Sequence, residues 1–348
     1  MRIGLAFLLA FILLVVLIPL SVLRSPPVSR PVESPSHITQ EVQGEASSAP
    51  VTTTRPVADA ESFAIYNTAT SKVETVSVQD YVRGAVAAEM PPSFHLEALK
   101  AQAVAAHTYA LYRQNLSRLS PDPVIQNADF SADPDHGKGY MTEEMARERY
   151  GDQFELYWSK ICEAADSTLG YVLTYDGQPI LAAYHSTSNG ETEDAVNVWS
   201  ASVPYLVPVE SEGDLLAPDF ATTETFTPKE VRALFSTAYP SLTFPTSQED
   251  WFVVKERSDS GYVTQIQVGD QILHGKEVRQ VLGLKSSDFT VSFQNGTFAF
   301  QVEGYGHGVG LSQYGADYMA RQGATFDEIL THYFTGAKLS AAQSEEQP

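Results

Sequence analysis

Cysteine is nearly absent: Cys162 is the only one in 348 residues, so no intrachain disulfide and no multi-thiolate metal site can form. Alone, it reads as a small buried apolar residue rather than a reactive thiol. Basic residues are scarce as well, 22 Lys and Arg against 43 Asp and Glu, which leaves a formal net charge of -21. Phosphate recognition depends on clustered Lys and Arg, so this balance excludes nucleic acid as a partner and an anionic lipid surface as a docking site. No repeat recurs at a fixed period. Apolar residues are not lacking, and at 43% they exclude a disordered chain and predict a sizeable core.

Long apolar runs are confined to one end. Residues 3–23 read IGLAFLLAFILLVVLIPLSVL, about the twenty residues a helix needs to cross a bilayer. A cleaved signal peptide has a shorter apolar core and a small-x-small cleavage site, so residues 1–23 are expected to be an uncleaved transmembrane anchor. Arg2 on one side faces Arg24 and Arg30 on the other, and the positive-inside rule is nearly balanced. Residues 24–60 are rich in Pro, Ser, Thr and Val without apolar periodicity and read as an extended stalk. The globular part is expected over residues 61–339, followed by a polar tail at 340–348. Basic and acidic residues balance in the first sixty positions, so the whole acidic excess falls beyond the stalk.

Within the globular part, residues 63–66 and 72–78 read as strands. Asp80 then offers an N-cap for a helix whose Tyr81, Val82, Ala85, Val86 and Met90 share one stripe, and Pro91-Pro92 stops it. Ser93 is the expected cap of a second helix with Glu97 in its first turn. Its Leu96, Leu99, Ala103, Ala106 and Ala110 form a narrow seam of mostly small residues. A single helix is expected from 142 to about 165, then a hairpin of 171–175 with 180–184 around Asp176-Gly177. Thr227-Pro228-Lys229-Glu230 is a capping box opening a helix through Phe235. Hairpins at 252–268 and at 289–302, the latter turning at Asn295-Gly296, precede a Gly-rich loop at 304–310 and helices near 312–321 and 325–334. Strands in hairpins rather than in regular βαβ alternation make this an α+β fold.

Glu89 lies in an apolar, small-residue run at a helix C-terminus. Desolvation and the negative end of the helix dipole would both raise its pKa, as a general acid requires. On periodicity alone, a surface place on the solvent face of the helix is the favoured reading. Tyr184-His185-Ser186-Thr187-Ser188-Asn189-Gly190 follows a predicted strand. It lacks a Gly-x-Ser-x-Gly elbow, and neighbouring strand residues point to opposite faces, so His185 is poorly placed to deprotonate Ser186. Hydrogen bonding to a substrate or to the backbone fits this loop better. Gly304 to Gly310, with glycine at alternate positions, lacks the lysine and hydroxyl of a phosphate loop; its glycines would let the backbone approach a ligand and hold His307 at the edge. Asp129, Asp133, Asp135 and His136 lack the remaining ligands of a calcium loop and read as a solvated acidic loop. His185, His307 and His332 could also meet in space.

Four segments in this order resemble the stage II sporulation protein D family of peptidoglycan lytic transglycosylases: YVRGAVAAEMPPSFHLEALKAQAVAAHTYAL, TLGYVLTYDGQPILAAYHSTSNGETED, NVWSASVPYL and GYGHGVGLSQYGADYMARQGATFDEILTHYFTG. The resemblance implies that Glu89, in AAEMP, is a single catalytic acid/base cutting between N-acetylmuramic acid and N-acetylglucosamine. Unlike ordinary glycosidases, it would need no second carboxylate. Lys100, His107, Tyr184, His185, Ser186, Ser188, Asn189, His307, Gln313 and Tyr314 would then line a glycan groove. Where members commonly read AARTYA, this chain has His107 in place of the arginine. Some members hold zinc through Cys and His in the loop that here reads Asp135-His136-Gly137-Lys138-Gly139-Tyr140; without a cysteine, neither zinc nor any other cofactor is expected. The resemblance further implies export across the mother-cell membrane during engulfment, glycan strands stripped by an amidase partner, and a multi-span membrane protein in the same assembly. A non-catalytic wall-binding protein that activates an amidase is the alternative.

Overall fold

The computed structural model describes residues 60–134 and 139–342. The expected anchor, nearly all of the stalk, and Asp135 and His136 lie outside them. Among the described residues, no helix is long and apolar enough to cross a membrane.

The fold is mixed α+β, as the hairpin pattern implied. Strand β1 (Ser62–Asn67) pairs antiparallel with β2 (Lys72–Ser77), and the chain passes directly into α1 (Val78–Glu89). The cap of α1 is Ser77 rather than Asp80: Ser77 Oγ accepts the Asp80 N–H, and Asp80 sits in the first turn, where its charge favours the helix N-terminus. Helix α2 (Leu96–Leu119) is capped by His95 rather than Ser93, because the turn after the double proline, closed by Phe94 N–H to Pro91 C=O, occupies residues 91–94. Strand β3 (Phe130–Ala132) runs parallel to β1. The single helix expected from 142 to 165 is two, α3 (Glu143–Tyr150) and α4 (Phe154–Asp166), separated at Gly151 by one 3-10 turn.

Strand β4 (Tyr171–Tyr175) turns at Asp176-Gly177 into β5 (Gln178–Pro179), two residues that precede the 180–184 expected as its partner. Two successive three-residue turns, Ala182 N–H to Ile180 C=O and Ala183 N–H to Leu181 C=O, lead the chain away from β4. It emerges as β6 (Tyr184–His185), and α5 (Ala195–Trp199) follows.

Next come β7 (Ala221–Phe226), α6 (Pro228–Ala238), β8 (Phe252–Arg257), β9 (Val263–Val268), β10 (Gln271–Leu273), α7 (Gly275–Leu282), β11 (Asp288–Gln294) and β12 (Thr297–Glu303). Their sheets, β11-β12-β7 and β10-β9-β8, enclose an aromatic-rich core of their own. The Thr227 capping box and the Asn295-Gly296 turn form as the sequence implied. The chain leaves this second lobe where it came in: Gly304 N–H donates to Phe220 C=O at 2.8 Å. It then rejoins the first lobe as β13 (Leu311–Ser312), parallel to β6, then α8 (Gln313–Arg321), α9 (Phe326–Tyr333) and β14 (Lys338–Ala341), which pairs with β4. Strand β14 runs two residues into the segment expected as tail, and Ser340 Oγ bonds Thr174 Oγ1 at 2.7 Å.

The first lobe packs around α2. Ala98, Ala101 and Ala105 are buried together with the expected seam of Leu99, Ala103, Ala106 and Ala110, so the helix is enclosed on nearly all sides along its first half. Small side chains permit very close packing. A Cβ at Gly84 of α1 would stand 2.3 Å from the Met141 carbonyl oxygen, while the Gly84 carbonyl accepts the Met141 N–H at 3.1 Å. Cys162 is partly exposed rather than buried.

Candidate active site

Glu89 closes α1 and is 3% exposed, so its place is not on the solvent face. The reason lies outside the helix: the 139–141 segment, α3 and β6 cover the stripe on which Tyr81, Ala85 and Glu89 follow one another at steps of four. Burial pushes its carboxyl up to about 8, against the opposing pull of the Gly139 backbone N–H and the Arg149 guanidinium. Its Oε1 has no hydrogen-bond partner among the described residues. The last turn of α1 is held from α3, since Arg149 Nη1 and Tyr150 Oη both donate to Ala87 C=O, at 3.4 and 3.0 Å.

Tyrosines surround this carboxyl. Burial pushes the Tyr184 and Tyr81 hydroxyls up, and Glu89 adds to both shifts electrostatically, as does Tyr109. Gln102 stands beside the Tyr184 hydroxyl and accepts from Gln313 Nε2 at 3.3 Å. Glu89, Tyr184 and Gln313 are thus brought into one buried polar cluster. Tyr81, Gln102, Tyr109 and Arg149 were missed from sequence, although Gln102 and Tyr109, seven apart in an alanine-rich helix, were a legible signal of a polar face. Chemically, the cluster offers a carboxyl kept protonated near neutral pH within a wall of neutral hydroxyl and amide groups.

Lys100 and His107 are not brought there. At 100° per residue they share the face of α2 opposite Gln102 and Tyr109. Lys100 Nζ donates to Glu97 at 2.8 Å, and Glu97 in turn accepts the Phe326 N–H of α9. His107 is 1% exposed. Tyr314 is half-buried edge-on against Phe94, with ring centroids 4.9 Å apart.

The 186–190 loop bonds to the protein's own groups. Asp214, fully buried, accepts from Ser188 N–H, Ser188 Oγ and Ser312 Oγ. Asn189 Nδ2 donates to Ser260 C=O and to Asp288 of the second lobe. Ser186 Oγ lies 3.2 Å from Thr187 Oγ1, and its carbonyl accepts the Tyr314 N–H. The glycines that follow allow close packing as well: Cβ atoms at Gly308 and Gly310 would meet Tyr262 Oη at 2.5 Å and Ala183 C=O at 2.3 Å.

His185 faces away from Tyr184, as strand alternation requires. Its Nδ1–H donates to Val309 C=O at 3.2 Å, while His307 Nδ1 accepts the Val309 N–H at 3.0 Å, so one residue's backbone holds both rings, 5.7 Å apart. Burial lowers the His185 pKa to about 4, which keeps it neutral. His332 instead contacts Glu210 C=O and the Tyr333 ring. Asp129 accepts from Ala64 N–H, Gln114 and Ser117, so it anchors β1 rather than a loop ligand.

The family model described as "Stage II sporulation protein" matches residues 66–175. The stage II sporulation protein D of Bacillus subtilis (strain 168) is 35% identical over 283 residues, 81% of this chain and 80% of the relative. The protein of that name from Bacillus amyloliquefaciens is 34% identical over the same shares. A Bacillus subtilis (strain 168) protein named amidase enhancer is 26% identical over 75% of this chain and 40% of its own length.

Proposed function

The chain belongs to the stage II sporulation protein D family, and on that premise we propose that it is a lytic transglycosylase acting on peptide-free wall glycan during engulfment, with Glu89 as acid and base. Protonated Glu89 gives its proton to the glycosidic oxygen as the bond from muramic C1 breaks, and N-acetylglucosamine leaves with a free 4-hydroxyl. The resulting carboxylate takes the proton of the muramic 6-hydroxyl, whose oxygen bonds C1 and closes a 1,6-anhydro ring. Water is not consumed, and one carboxyl serves both steps.

The observation that carries this reading is the burial of Glu89, which holds the acid form up to about pH 8. No other carboxylate among the described residues contributes to that shift. Tyr184, Gln102 and Gln313 supply neutral hydrogen-bonding groups beside it. In this proposal residues 1–23 anchor the protein in the mother-cell membrane, the domain faces the septal space, and an amidase and a multi-span membrane protein act with it.

The test digests peptide-free glycan with the wild type and with Glu89→Gln and weighs the products. Anhydro ends from the wild type alone are expected; equal release by the variant overturns the assignment. The amidase-enhancer relative favours a second reading, a non-catalytic activator, which predicts no mass change with either protein and faster amidase turnover with both.

A further inference from the structure

The face of β6 opposite Tyr184 looks toward a second polar site. Between the lobes lies a pocket lined by Glu193, Tyr262, Lys276, Arg279 and His307, among others. Arg279 Nε donates to the Leu284 and Lys285 carbonyls at 3.3 and 3.2 Å. Burial pushes its pKa down, opposed electrostatically by the Tyr305 and Tyr262 hydroxyls, and no carboxylate among the described residues forms an ion pair with it. A guanidinium withdrawn from water without a carboxylate partner is an incomplete ion pair. Lys276 Nζ donates to the Val198 carbonyl and adds a second cation. Tyr262 is 2% exposed, and among the described residues its hydroxyl has no acceptor to donate to. His307, whose Nδ1 accepts the Val309 N–H, carries its proton on Nε2.

The one carboxylate in the lining is Glu193, and its oxygens are covered: Oε1 accepts from Asp194 N–H and Asn197, Oε2 from Ser258. Two cations against one carboxylate leave room for a single negative charge, in a chain whose net charge is -21. A planar guanidinium matches a carboxylate by two parallel hydrogen bonds.

We propose that this pocket binds the lactyl carboxylate of an N-acetylmuramic acid residue, as a second sugar-binding point separate from the Glu89 cluster. The identity of the ligand rests on the wall-glycan reading above. The pocket would hold the strand by its charge, while the Glu89 wall meets it with neutral groups.

The experiment uses the full chain in detergent, carrying Glu89→Gln so that nothing is cleaved, and follows N-acetylmuramic acid by ligand-observed saturation-transfer NMR. Arg279→Gln and Lys276→Gln are each expected to weaken binding about tenfold, the scale of one charge-assisted hydrogen bond. N-acetylglucosamine, which lacks the lactyl carboxylate, is expected to respond to neither. Unchanged affinity in both variants overturns the proposal, as does a parallel loss of N-acetylglucosamine binding or inorganic phosphate outcompeting the sugar acid. Lys276 is exposed, so its variant carries the test if Arg279→Gln unfolds. Cleavage retained by Glu89→Gln would sink the catalytic assignment and leave this binding result standing.

Discussion

Alanine dominates the packing around α2, whereas the second lobe is held by rings. Trp251 lies 4.1 Å from Phe244 and 5.4 Å from Phe298 between centroids, and Phe252 meets both Phe298 and Phe300 at 5.2 Å. The second core is apolar throughout, while the first encloses Glu89, Gln102, His107 and His185. Small side chains bring backbones close, so that carbonyls and N–H groups form the walls in which a polar group can be buried. Aromatic cores gain more apolar area per residue but leave no such walls. The alanine-rich core therefore leaves Glu89 Oε1 and Gln102 Nε2 without a partner among the described residues, whereas the aromatic core takes in no polar side chain.

The sharpest way to break that contrast is Glu89→Gln, which should lower glycan cleavage by about a thousandfold or more, measured as anhydro product. The same change should stabilise the protein. A carboxyl raised from 4.5 to about 8 on folding opposes unfolding fully only below pH 4.5, and its contribution is lost as pH rises towards 8. At pH 7 that loss is on the order of 3 kcal/mol. Melting temperature against pH should thus fall between pH 5 and 8 for the wild type and be flatter for the variant. The cleavage rate of the wild type should also fall above pH 8, as the acid form disappears.

Phe298→Ala should have a comparable effect in the opposite currency: a destabilisation of about 3–5 kcal/mol in denaturant unfolding, with activity of the folded fraction retained. Loss of cleavage without loss of stability would erase the division of labour. Gly84→Ala comes next. Its Cβ must displace the Met141 carbonyl, so about 1–3 kcal/mol of destabilisation is expected together with slower cleavage, because the displaced segment includes Gly139 beside Glu89. The smallest effect belongs to the Arg83–Asp166 pair, part-exposed on the outside of the first lobe. Arg83→Ala should shift stability by at most about 1 kcal/mol and leave cleavage unchanged.

Local chemistry was legible wherever it decided the structure by itself. The Thr227 box, the Asn295-Gly296 turn and the stripe on α1 are fixed by residues within one turn of each other. The site was legible only through the family resemblance and a helix-end argument, because the burial of Glu89 is imposed by Tyr184, almost a hundred positions away, and by the approach of 139–141 to Gly84. Lys100 and His107 show the limit of helix spacing. Their seven-residue spacing correctly placed them on one helix face, but spacing cannot say which face meets the carboxyl. Tyr184 and His185 were grouped as neighbours, although strand alternation sends one to Glu89 and the other to Val309.

The hydrogen bond between Gly304 and Phe220 joins the two ends of the second lobe. A segment whose ends already touch can be lengthened, exchanged or lost without altering the path of the chain on either side. The stretch matched by the family model, 66–175, lies wholly before that junction. The second lobe is thus placed as an excursion from the first: the chain enters and leaves it at one point, and the carboxyl with its wall of tyrosines is built entirely from residues before that point.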